Sequence, residues 1–256
     1  MTLEEWLILA KSCPSNSQKA HAPLSPIKMS DRSIHSNSYQ LAAVLILICG
    51  TSWNQARIPL IRRSSKHRVH ADQWAFPGGK WEPSDLNFYH TAARECYEEV
   101  GLIPSHTGIP LASVAIPVSS MRVSPFVSIL STQSHVYKCS KEVDDLTELP
   151  LQLLDYLNIE YQLIGETSVP GFFVNGQFVW GASAMILNQL KENSTKIALV
   201  NGKLSPKSYN RFKFFHFLST LTLGFGGSAS KSWCDLSAPF NDITARAPYV
   251  LLPLAS

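Results

Sequence analysis

Hydrophobic positions along this chain fall into periodic stretches separated by polar breaks. Near the start, Leu3, Trp6, Leu7 and Ala10 recur at helical spacing, and Thr2 followed by Glu5 matches a capping box. Pro14, Pro23, Pro26 and many serines then break regular structure. Residues 41–49 form an unbroken apolar run, predicting a strand buried on both faces and too short to span a bilayer. Residues 50–56 predict a turn and 58–62 a second strand. Ala92, Ala93, Cys96, Tyr97 and Val100 recur at helical spacing, and Gly101 stops that helix. Further strands are predicted over 111–118 and 125–130, a short helix over 149–157, and a hairpin over 171–179 around Asn175-Gly176. Residues 182–191 have helical periodicity. Phe178 and Trp180 read as core.

Composition narrows the class. With 256 residues, 45% hydrophobic and 16% charged, the chain is globular and long enough to bury a core. Its five cysteines are scattered with no CxxC pair, which argues against a zinc ribbon or a disulfide framework. A reducing cytoplasm is the expected location. Glu4 and Glu5 stand where a signal peptide would carry Lys or Arg. The net charge of +3 hides an asymmetry. Residues 193–256 hold seven Lys+Arg against two Asp+Glu, a balance of +5, so residues 1–192 carry −2. Three regions are expected: an arm over 1–38, a catalytic domain over 39–192 and an extension over 193–256.

The stretch 76–102 carries the chemistry. Glu95, Glu98 and Glu99 sit at i, i+3 and i+4, which places them on one side of a helix. Like charges so placed repel by roughly 0.2–0.5 kcal/mol per pair unless something compensates. A hard cation such as Mg²⁺, which favours carboxylates together with phosphate oxygens, would compensate. Arg94 can orient a neighbouring carboxylate with its planar fork. Gly78-Gly79 allows a tight approach of strand to helix. Asp85 is placed to cap the helix or to reach Arg94. Alone, such acids read as a solvated helix face. The glycine pair, Arg94 and Gly101 at fixed offsets favour a built site.

These residues resemble the Nudix box, in which a glycine precedes Arg-Glu-x-x-Glu-Glu-x-Gly at set spacing. Gly79, Arg94, Glu95, Glu98, Glu99 and Gly101 match. Asp85 stands where glutamate is usual, with one more residue before Arg94. The coenzyme A diphosphatase-like branch shows the same Asp and spacing. That branch also carries Arg-Ser, an Arg four residues after the Ser, then Gly and Phe-Pro-Gly-Gly. Arg63-Ser64, Arg68 and Phe76-Pro77-Gly78-Gly79 match, with Asp72 in place of the Gly. If that Gly sits at positive φ, Asp is a tolerated replacement; if it faces phosphates, an acid weakens binding. Glu142-Val143 before Leu149-Pro150-Leu151 also resembles the branch.

The resemblance covers about 39–192 and implies an α/β fold: an α/β/α sandwich with a mixed sheet and a loop–helix–loop motif. It implies Mg²⁺ or Mn²⁺ held by Glu95, Glu98 and Glu99. Glu98 or Glu99 would serve as base and Arg94 as catalytic support, while Asp85 and Gly101 would be structural. Arg63, Ser64, Arg68, Gly78 and Gly79 would bind substrate. The implied reaction cleaves the diphosphate of coenzyme A or its acyl forms into adenosine 3′,5′-bisphosphate and (acyl-)4′-phosphopantetheine. Alternatives are another nucleotide-type diphosphate such as ADP-ribose, or a silent binding module. Arg57, Arg62, Arg63, Lys66 and Arg68 lack the interleaved aromatics of a nucleic-acid surface, so neither nucleic acid nor membrane is an expected partner. For the C-terminal extension three readings stand: an element docking a second subunit in a homodimer, a poorly ordered extension, or an unrelated sequence appended to the domain.

Overall fold

The computed structural model describes residues 2–12, 17–25, 39–64, 72–132 and 136–200. Two short helices come first, α1 (Leu3–Ser12) and α2 (Ser17–His21). Strands β1 (Gln40–Cys49), β2 (Arg57–Arg63), β3 (Trp74–Ala75) and β4 (Gly78–Lys80) lead to helix α3 (Phe88–Val100). Then follow β5 (Ile109–Pro110), β6 (Val114–Ile116), β7 (Met121–Leu130) and β8 (Val143–Pro150). A meander of β9 (Glu160–Ile164), β10 (Thr167–Val174) and β11 (Gln177–Trp180) precedes helix α4 (Gly181–Val200).

Among the described residues, β1 is the centre of a mixed sheet of eight strands. It runs parallel to β7 along its whole length and antiparallel to β4 and β2 on its other edge. Its unbroken apolar run follows from that position, because a strand's side chains alternate between the two sheet faces. Ala42, Ile46 and Ile48 enter one core with α1, β10 and α4. Ala43, Leu45, Leu47 and Cys49 enter the other with Ala92, Cys96 and Val100 of α3. The result is the expected three-layer sandwich, with α3 the one helix on its face among the described residues.

The arm is part of the first core. Thr2 and Glu5 exchange bonds as a capping box, Thr2 N–H to Glu5 Oε2 at 2.8 Å and Glu5 N–H to Thr2 Oγ1 at 3.1 Å. That fixes the helix start, so Leu3, Trp6, Leu7 and Ala10 turn inward together. Asn188 on α4 donates to the Ala20 carbonyl at 2.7 Å, and His21 pairs with Gln189 at 3.2 Å.

Several expectations change. The strand predicted over 111–118 shrinks to β6, since Pro117 opens a 3-10 turn. The helix predicted over 149–157 is the end of β8 followed by a 3-10 turn over Leu151–Tyr156, because Pro150 keeps Leu149 extended. Tyr97 lies outside the apolar stripe of α3 and is exposed. Phe178 and Trp180 are half-buried, and Val179 between them is the core residue. Residues 201–256, most of the C-terminal extension, lie outside the described residues. No helix among the described residues is long and apolar enough to cross a membrane.

Trp6 is 1% exposed. Trp6→Ala is expected to lower stability by about 3–5 kcal/mol, the range for truncating a buried Trp, read as an earlier urea midpoint. A loss below about 1 kcal/mol would be that of a surface change and would contradict a core role for α1.

Candidate active site

Helix α3 is held against β4 by the absence of side chains on the strand. A Cβ on Gly79 would stand 2.3 Å from the Glu95 carboxylate, so the carboxylate lies on bare backbone. A Cβ on Gly78 would meet the Ala43 carbonyl at 2.3 Å, which fixes glycine there through the close pairing of β4 with β1. One turn beyond Glu95, Glu99 accepts the Gly78 N–H on Oε2 at 2.8 Å, with its side chain only 3% exposed. The same Gly78 peptide is bracketed on its carbonyl side by Arg63, whose Nη1 donates at 3.4 Å. Arg63 Nη2 lies 4.0 Å from Glu99 Oε1.

Arg94 organises the other end. It donates to both oxygens of Asp85, Nε to Oδ1 at 3.0 Å and Nη2 to Oδ2 at 3.1 Å. Its Nη1 reaches Glu98 Oε2 and Glu95 Oε1, each at 3.1 Å, and Nη2 also reaches the Lys80 carbonyl at 3.3 Å. Asp85 further accepts from the Glu82 N–H at 3.0 Å and the Thr91 hydroxyl at 2.9 Å, with His90 Nδ1 at 3.2 Å. Asp85 is therefore the anchor of Arg94 and not the helix cap. The cap is Asn87, which accepts the His90 N–H at 2.9 Å. Thr91 and His90 were not legible as partners of Asp85, because nothing in their spacing marks them. At the far end, Gly101 adopts φ +73° and closes α3 on the Tyr97 carbonyl.

Among the described residues, acids outnumber cations in this region. Asp85, Glu95, Glu98, Glu99 and Glu142 stand against Arg63 and Arg94. Burial pushes the Glu99 carboxyl up to about 7, helped by the Glu95 and Glu142 charges and opposed by the Gly78 N–H and Arg63. Burial also raises Glu95, with Arg94 opposing and Glu98 adding to the rise. Asp85 goes the other way: its bonds to Arg94 hold it well below the usual carboxylate range. Cys49 and Cys96 lie buried near α3, where burial pushes both thiols up and leaves them unreactive.

Not every expected residue converges. Glu95 and Glu99 meet β4 side by side, while Glu98 points outward with its side chain 55% exposed. No group of three metal-ligating side chains is gathered among the described residues, and Arg63 and Arg94 stand beside the acids. The donors nonetheless fit a hard divalent ion: they are carboxylate oxygens, partly buried and short of positive charge. Ser64 is buried, its N–H donating to the Glu142 carbonyl at 2.9 Å. Asp72 adopts φ +59°, and its carboxylate pairs with Arg62 at 3.4 Å, so its position meets a backbone requirement of the β2–β3 turn. Arg68, Lys66, His67 and His70 lie outside the described residues.

Asp85→Asn is expected to lower stability at neutral pH by about 3 kcal/mol, because it leaves Arg94 without its bidentate anion. The ionised Asp85 contributes fully above the usual carboxylate pKa, and its contribution is lost as pH falls toward the lowered folded value. The gap between the two proteins should therefore stay constant from pH 8 to 6 and narrow below about pH 4. Thermal melts across that range check it; a gap that widens in acid would contradict the pairing.

Residues 39–150 match the NUDIX domain family. Nudix hydrolase NudL of Pectobacterium atrosepticum is 36% identical over 160 residues, covering 58% of this chain and 80% of that protein. NudL of Yersinia enterocolitica is 32% identical over 167 residues, covering 62% and 84%. A MutT/nudix family protein of Enterococcus faecalis superimposes with a TM-score of 0.45 at 13% identity, covering 71% of this chain and 75% of that one. Because the NudL proteins are 32–36% identical to this chain over four fifths of their own length, the chain belongs to the Nudix hydrolase family.

Proposed function

We propose that the protein is a Mg²⁺- or Mn²⁺-dependent diphosphatase acting on coenzyme A or its acyl derivatives. The observation that carries the metal-dependent chemistry is Glu99, a buried carboxylate on the Gly78 N–H with two further acids close enough to raise its pKa. Burying that much negative charge is costly unless a cation shares it.

Glu95, Glu98 and Glu99 would hold the ion. When bound, it would neutralise charge on the diphosphate and acidify an attacking water. This chain's residues do the rest. Arg94 sets the direction of Glu95 and Glu98 while being fixed itself by Asp85. Gly79 keeps the strand bare so that Glu95 lies flat on it. Glu98 is the exposed carboxylate of the three and is best placed to take a proton from water at the site mouth. Glu99, committed to Gly78 through one oxygen, serves as a fixed anchor.

The coenzyme A assignment is supported by the Arg63-Ser64 pair beside the box and by Asp72 at positive φ, which keeps the branch's turn with an acid in place of Gly. Coenzyme A offers a diphosphate and a ribose 3′-phosphate, for which several cations are useful.

The test is a substrate panel of coenzyme A, its 3′-dephospho form and ADP-ribose, with Mg²⁺ present. Coenzyme A is expected to have the highest kcat/KM, and Glu98→Gln to lower kcat by about 10²–10⁴-fold with an unchanged melt. Preference for ADP-ribose would replace the substrate assignment. Undiminished hydrolysis by the folded variant would remove Glu98 from catalysis.

A further inference from the structure

The two arginines of the box are held in different ways. Arg94 is pinned, with contacts of 3.0–3.1 Å to three carboxylates. Arg63 is not. Its guanidinium stands 3.4 Å from the Gly78 carbonyl and 4.0 Å from Glu99 Oε1, beyond a strong charge-assisted bond. Its backbone is fixed in the β2–β3 turn, its N–H donating to Gln73 at 3.2 Å and its carbonyl accepting from Asp72 at 3.1 Å. Only the side chain is loosely held, and it is 29% exposed where Glu99 is 3% exposed. The Arg63 side chain is thus the more accessible partner of the pair.

The position of Arg63 matters more than its looseness. Glu99 Oε2 is taken by the Gly78 N–H. Oε1 is the oxygen left to face a cation, and Arg63 is the cation facing it. A divalent ion drawing on Glu99 would need that same oxygen. Two positive groups at one partly buried oxygen repel strongly.

We infer that Arg63 is a movable counter-ion of the box: its guanidinium stands at Glu99 when no divalent ion is bound, and turns to the substrate diphosphate when one is. The inference rests on the reading of Glu95, Glu98 and Glu99 as metal-binding. In the metal-free protein Arg63 is engaged with Glu99 and withheld from phosphate. A bound ion releases it, and a planar fork beside the site is suited to grip a diphosphate. Metal and diphosphate then favour each other's binding, by the same factor in both directions. The family resemblance implies a substrate role for Arg63 and the geometry sets it beside Glu99; the inference makes these two states of one side chain.

The test titrates Mn²⁺ into the full chain and into its Arg63→Gln variant by calorimetry. The variant has lost the competitor and is expected to bind Mn²⁺ about tenfold more tightly, within the usual range of such couplings. Equal or weaker binding by the variant, with the native protein binding normally, overturns the inference alone. Binding by neither protein overturns the metal reading as well. A second measurement needs no variant. The Arg63 Nε–H resonance of the native protein is expected to move when Mg²⁺ saturates the site, and to move again on adding methylenediphosphonate. A resonance unmoved by saturating Mg²⁺ overturns the inference, whether or not Arg63→Gln folds.

Discussion

The contact of Glu99 with the Gly78 N–H, made where no side chain intervenes, is the constraint on which the site depends. Helix α3 can lie this close to β4 only because Gly78 and Gly79 are bare, one against β1 and the other against Glu95. The approach removes Glu99 from water and brings Glu95 beside it. It creates a buried excess of negative charge, which the fold tolerates by setting an arginine on each side. The proposed binding of a divalent ion rests on that same excess.

The rest of the sandwich serves that approach. Strand β1 is buried on both faces, so α3 has a rigid floor in Ala43, Leu45 and Leu47. On the opposite face, α1 and α4 close the first core, and the arm contributes Trp6 and Leu24 to it. Asn87 and Gly101 fix where α3 begins and ends, and its register decides which glutamate meets which glycine. A slip of one residue would carry Glu98 to the buried place of Glu99 and drive Glu99 into the apolar place of Val100. The Asp85–Arg94 pair resists such a slip because both oxygens and two nitrogens are engaged.

The elements that bury a regular apolar face were legible in the sequence. The two-sided burial of β1, the apolar stripe of α3 and the turn at Asn175-Gly176 all leave a periodic signal. Strand β9 left none, since every residue in it is exposed. Strand β8 is a half-exposed partner of β2 and leaves no regular alternation. At the site, residue types and offsets were legible while directions were not. Asp85 and Asn87 are both able to cap a helix, and only the register of the chain assigns the cap to Asn87. Arg63 has the same spacing whether its guanidinium faces outward or turns in to Glu99.

The central claim is that Glu99 is an anion buried in wait of a divalent cation. Melting the protein with and without Mg²⁺ across the pH range tests it most directly. Because the folded Glu99 carboxyl titrates near about 7, above its ordinary value, ionising it costs stability as pH rises from the ordinary value through 7. Mg²⁺ acts on the ionised form, so its stabilisation should be small near pH 5.5, grow through pH 7 and level off by about pH 8.5. Glu99→Gln should flatten that dependence. A Mg²⁺ effect that is absent at the alkaline end, or equal at both ends, would contradict the account.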